Sequence, residues 1–139
     1  MAERDGLAAV TMRRVAAQLG TGSASLYRHV ANRAGLIDLM VDRALSSYRP
    51  PPATGRWRDD LVAEVLHRVR YMRAHPWLAD AVLERPPIGP SAVRLLEQAL
   101  DQLRDHPAPG IAKLEALGVL AGLVQTYLRN ERPGGGEPR

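Results

Sequence analysis

The stretch Thr11–Val30, TMRRVAAQLGTGSASLYRHV, decides how this chain is read. Thr11 is suited to cap a helix by accepting a bond from a free backbone amide. Met12, Val15, Ala16 and Leu19 then recur at the i, i+3, i+4, i+7 spacing of one helical face. Gly20 falls where a left-handed residue ends a helix, and Gly22 keeps the connection short. Ser23 is a second capping candidate, and Leu26 and Val30, four apart, share the inward face of the helix that follows. Ser25, Tyr27, Arg28 and His29 are left to point outward. Two short helices joined by a tight Gly-containing turn make a helix-turn-helix, whose second helix fits the DNA major groove.

Charge points the same way. No acidic residue occurs from Gly6 to Ile37, whereas Arg13, Arg14, Arg28 and Arg33 all fall inside that span. A surface that lies on phosphates is expected to exclude carboxylates. The competing reading is an ordinary pair of surface helices in an Arg-rich protein. Arg13 and Arg28 are the candidates for reading bases, since a guanidinium can donate two parallel bonds to guanine. Ala24, at the start of the second helix, suits a thymine methyl.

Several runs resemble the TetR family of repressors. TMRRVAAQLG (11–20), SLYRHV (25–30), NR (32–33) and LIDLM (36–40) are similar to its DNA-binding domain. WRDDL (57–61), HPWLA (75–79) and GPSAVRLLE (89–97) are similar to the regulatory domain of its tetracycline-repressor-like branch. The resemblance implies groove contacts from Arg13, Ser23, Ser25, Tyr27 and Arg28, and phosphate contacts from Tyr27, His29 and Arg33. It implies a double-stranded DNA operator, a small-molecule effector and a homodimer. It also implies that most of the family's first helix and its C-terminal dimerisation helices are missing here. The alternative is therefore a truncated helical protein-interaction module without specific DNA binding. Residues typical of a tetracycline–magnesium site are not evident, so tetracycline is not the expected effector.

The rest of the chain reads as helices between proline breaks, an all-α fold. A helix over 32–48 carries Leu36, Ile37, Met40, Val41, Ala44 and Tyr48 on one stripe, with Leu39 and Leu45 off it. RPPPATG (49–55) cannot continue a helix and marks the boundary. The expected domains are a helix-turn-helix head with its connecting helix (1–48), a helical ligand-binding and dimerisation domain (56–130) and a flexible tail (131–139). In the second domain Leu61, Val62, Val65, Leu66, Val69 and Met72 define one face of a helix over 57–75. Glu64, His67, Tyr71 and His75 lie opposite, as a polar surface or a cavity wall. Further helices are expected over 77–83, 91–104 and 111–129. The last is apolar all round from Ala116 to Val124, with Gly118 and Gly122 placed for a close helix approach. Trp57, Met72, Trp77 and Tyr127 are candidates to line an effector pocket, which would suit a mostly apolar ligand.

Composition excludes other classes. There is no cysteine, so disulfides and thiolate metal sites are out and a reducing compartment fits. No catalytic motif, cofactor loop or metal-ligand set stands out, so no enzyme, cofactor or metal is expected. The Ala116–Val124 run is short of the roughly 20 residues of a membrane span, and no targeting segment is visible. The expected setting is cytoplasmic, without a membrane partner. The formal charge of +4 permits nucleic-acid binding without establishing it.

Overall fold

The computed structural model describes residues 1–131, so the expected flexible tail lies outside the described residues apart from Glu131. Among the described residues eight α-helices follow one another: α1 (Ala2–Asp5), α2 (Met12–Gln18), α3 (Ser23–Tyr27), α4 (Arg33–Ser47), α5 (Trp57–Ala74), α6 (Pro76–Glu84), α7 (Pro90–Gln102) and α8 (Gly110–Glu131). A short 3-10 turn, Leu7–Ala9, joins α1 to α2. Among the described residues there is no strand, and the chain is all-α. Local chemistry sets several starts. Asn32 Oδ1 accepts from the Gly35 amide at 2.9 Å and caps α4. Pro76 and Pro90 open α6 and α7, where a missing N–H costs nothing.

The chain forms two compact units. The first comprises Met1–Tyr48 and His75–Arg94. The unit that holds the helix-turn-helix thus reaches well beyond the proline break. Its core gathers Leu7, Val10, Met12, Ala16, Leu26, Val30, Leu36, Ile37, Val41, Leu45 and Tyr48 with Trp77, Leu78, Ala81 and Val82. Leu45, expected off the stripe, is buried, while Leu19, expected on the inner face of α2, is 65% exposed. Leu19 caps the end of α2, where the helix no longer dictates direction. Within this unit α6 packs against α1, the 3-10 turn and α4.

The second unit comprises Arg49–Ala74 and the chain from Leu95 onward. In it α5 packs against α8. The expected apolar face of α5 is only partly inward: Val69 and Met72 are buried, but Val62 and Leu66 are more than half exposed. Glu64, expected on the polar side, is buried and accepts from Arg68 Nη2 at 2.8 Å. Periodicity places residues on a face but does not say which face meets the neighbour, and here the mixed face won. Asp60 is buried too, accepting from the Thr54 amide at 2.9 Å, the Thr54 hydroxyl at 2.7 Å and the Gly55 amide at 3.1 Å. These bonds, the Thr54 hydroxyl foremost, hold its carboxyl below the usual carboxylate range.

The last helix departs furthest from expectation. On α8 only Val124 and Leu128 are buried, while Ile111, Val119 and Leu123 are 60% exposed or more. A Cβ built at Gly118 or Gly122 would meet nothing within 4 Å, so no element approaches there among the described residues. By length and composition α8 is also apolar enough to cross a membrane, which the shorter Ala116–Val124 run had argued against. It carries Lys113, Glu115 and Arg129, and it packs on α5 as one helix of a helical domain.

Candidate nucleic-acid interface

The helix-turn-helix is built by its own sequence. Thr11 Oγ1 accepts from the Arg14 amide at 3.2 Å and starts α2. At its end Gly20 adopts φ +66°, with Gly20 N–H donating to Ala17 O at 3.1 Å and Thr21 N–H to Ala16 O at 3.0 Å. That pair of bonds is a Schellman termination, which a glycine in the left-handed region accommodates without strain. The start of α3 differs from expectation: Gly22 occupies the cap, no side chain caps the helix, and Ser23 is its first residue. With Leu26 and Val30 buried, α3 packs on α2.

This leaves Ala24, Tyr27, Arg28 and His29 exposed on α3 and its C-terminal extension, with Ser23 and Ser25 half-buried. Arg28 Nη2 donates to Ser25 Oγ at 3.2 Å, so these two candidates meet on one surface. Arg13 is exposed on the first turn of α2. Its neighbour Arg14 turns instead toward Asp5, at 3.3 Å, a carboxylate from outside the acid-free span.

Arg33, expected at a phosphate, has its guanidinium on the protein backbone. Its Nε donates to Val10 O at 2.8 Å and its Nη2 to Leu7 O at 3.0 Å. A guanidinium spent on two carbonyls of the 3-10 segment holds the start of α4 against the entry to α2. Nothing local in the sequence signals this, because the partners lie 23 and 26 residues away.

The four effector-pocket candidates are divided between the two units. Trp77 belongs to the first unit, buried, with its indole N–H donating to Glu3 Oε1 at 2.7 Å. Nδ1 of His75 lies 2.5 Å from the same oxygen. Trp57, Met72 and Tyr127 belong to the second unit. Met72 is buried, and the Trp57 ring meets His106 edge-on at 4.8 Å. Tyr127 is half exposed and accepts from Arg73 Nη2 at 3.2 Å, beside a bidentate Arg73–Glu131 ion pair. A groove of about 270 Å³ does occur in the first unit, between α4 and residues 85–92, and none of the four lines it. Among the described residues no group of three or more His, Asp or Glu side chains is placed to hold a metal ion.

A helix-turn-helix with an exposed, acid-free recognition surface, carried on an all-helical chain, defines the class of DNA-binding regulators. The chain belongs to the tetR family of bacterial regulatory proteins: residues 1–40 match that family's N-terminal model, and residues 49–131 match the tetracyclin repressor-like C-terminal domain. It is 42% identical over 133 residues to the HTH-type transcriptional repressor DrrR1 of Streptomyces coeruleorubidus, covering 94% of this chain and 49% of that protein. It is 36% identical over 92 residues to an HTH-type transcriptional regulator of Saccharopolyspora erythraea, covering 66% of this chain and 39% of that one. The chain thus spans about half the length, or less, of these relatives. Among solved structures it is similar to the TetR family protein ActR of Streptomyces coelicolor in complex with (S)-DNPA. The TM-score is 0.85 at 32% identity, covering 94% of this chain and 64% of ActR. ActR has also been solved in complex with actinorhodin.

Proposed function

We propose that this chain acts as a ligand-responsive transcriptional repressor that binds a double-stranded DNA operator through α2 and α3. The observation that carries the reading is the α3 surface, where Tyr27, Arg28 and His29 are exposed within a span free of acidic residues. Arg28 and Arg13 read bases, while Tyr27 and His29 contact phosphates and fix register without specifying sequence. Ser23, Ala24 and Ser25 complete the groove-facing surface. The repressor and regulator names of the two relatives support this reading.

The operator is a palindrome and the working form a homodimer, for which the exposed Ile111, Val119 and Leu123 face of α8 is the candidate contact. The effector binds the second unit and is mostly apolar with a few polar anchors; that ActR has been solved in complex with actinorhodin supports a small-molecule effector. The effector must prefer the conformation that does not bind DNA, since equal affinity for both shifts nothing. The compartment is the cytoplasm.

Selection of bound sites from random duplex DNA tests the proposal. The wild-type chain should enrich one motif, with binding that falls steeply with salt. Arg28→Ala should relax preference at one or two base pairs, by about 1–3 kcal/mol each. An unchanged motif in that variant would remove Arg28 from the reading set, and no enrichment by wild type would overturn the function itself.

A further inference from the structure

The far end of α6 is joined to α4 by an arrangement that lies outside the recognition surface. α7 opens on Pro90, which has no N–H, so Ser91 carries one of the first amides left without an intrahelical partner. The residue in the capping position is Gly89, whose carbonyl already accepts from Val93 N–H at 3.1 Å but which has no side chain to cap with. The cap comes from another helix. Asp42, on α4, accepts from the Ser91 amide through Oδ1 at 2.8 Å, and Ser91 is buried. The approach is so close that a Cβ at Gly89 would run into Asp42 Oδ1 and lie 2.9 Å from its Cγ. A side chain at Gly89 would therefore have to displace Asp42, whereas the backbone angles there do not call for glycine.

Two weaker ties flank this one: Arg85 Nη2 to Asp38 at 3.0 Å, exposed on both sides, and Arg94 Nη2 to Leu45 O at 3.3 Å. At the opposite end of α6, Glu3 holds Trp77 and His75. Between these ends Leu78, Ala81 and Val82 are buried, and α6 packs on α4 and on the 3-10 turn that leads into α2.

We propose that Asp42 is a positioning residue, capping α7 from α4 so that α6 stays seated on the head and the α2–α3 pair keeps its DNA-binding form. Gly89 is the second half of the device. The inference rests on the operator-binding reading above only for its effect on DNA. A capping side chain supplied from the same segment would stabilise α7 equally well but would remove the bond that holds the α6–α7 connection to α4, and this difference can be measured.

The test uses the full 139-residue chain, with Asp42→Ala, Asp42→Asn, Gly89→Ala and the pairs D42A/G89A and D42A/G89S. Thermal midpoints are measured together with titrations of a half-site duplex recovered by selection on wild type. Asp42→Ala and Gly89→Ala should each lower the midpoint and weaken half-site binding by roughly threefold or more, the scale of one lost cap. Asp42→Asn keeps the acceptor and should stay within about twofold of wild type. D42A/G89A should be no worse than either single change, because the bond is already lost and the clashing atoms are gone. D42A/G89S returns a local cap to α7 and should recover part of the midpoint, yet leave half-site binding weakened. Full recovery of DNA binding by D42A/G89S would reduce Asp42 to a helix cap and overturn the proposal. Additive losses in D42A/G89A, or a neutral Gly89→Ala, would overturn it as well. If wild type retained no duplex, the operator-binding reading would fail, while the midpoints of the single and double variants would still decide whether Asp42 and Gly89 act as one device.

Discussion

The two compact units bury their apolar side chains very differently. The first buries most of its apolar side chains in one core, with Leu78 fully buried, although Leu19, Leu39, Leu83, Ile88 and Val93 are exposed. The second is open. Its buried apolar residues among those described are Val69, Met72, Ala99, Leu103, Val124 and Leu128, while Val62, Leu66, Leu96, Ile111, Leu114, Val119 and Leu123 stay exposed. The first unit also satisfies its polar groups across long sequence separations, through Arg33, Glu3 and Asp42. A head that must present side chains to DNA gains from such rigidity. An open apolar surface instead marks a place where another surface docks.

The largest effect is expected at Leu78. Leu78→Ala should cost about 2–5 kcal/mol, the range for truncating a fully buried leucine. Because α6 belongs to the head, the same change should abolish half-site binding near the new melting range. Denaturant unfolding followed alongside DNA titration would check it. Loss of stability with intact DNA binding up to the transition would mean that the head folds without α6.

Arg33 comes next. Its two charge-assisted bonds to Leu7 and Val10 carbonyls make Arg33→Ala a stability change of about 1.5–3 kcal/mol. The slope of log affinity against log salt should stay as in wild type when measured well below the melting transition. A slope reduced by about one would restore Arg33 to the phosphate-contacting set.

Asp60 gives a pH signature to the second unit. Its folded carboxyl lies below its unfolded value, so its contribution is fully present above the unfolded value and is lost as pH falls through the folded one. Thermal midpoints from about pH 7 down to about pH 3 should therefore fall less steeply in Asp60→Asn than in wild type, from a lower starting point near neutrality. Parallel profiles would show that Asp60 titrates alike in both states.

The smallest effect on folding is expected on α8. Val119→Ser and Leu123→Ser should change stability by no more than about 0.5 kcal/mol, as surface changes do. They should nonetheless reduce concentration-dependent light scattering if this face recruits partners. A large loss of stability would show that these side chains are packed within one chain.

Much of the recognition surface is legible in the order of residues. The cap at Thr11, the left-handed Gly20 and the inward Leu26 and Val30 act over a few residues, where backbone sterics and hydrogen bonds leave few options. For that reason the outward placement of Tyr27, Arg28 and His29 follows from the residues alone. Periodicity fails on α5, where Glu64 turns inward and Val62 outward, because an amphipathic pattern fixes relative angles on a helix and leaves its neighbour undefined.

The helices, their breaks and the turn that aims α3 are legible in the order of residues, since all of these are settled by contacts within a turn or so of chain. Packing between distant segments alone sets α6 against α4 and the 3-10 turn, places Arg33 on Leu7 and Val10, and brings Asp42 against Gly89. The polar contacts that tie these pieces together join residues between 23 and 74 positions apart. Their partners are selected by packing of whole helices, and no local pattern encodes which carbonyl or amide a distant side chain will reach.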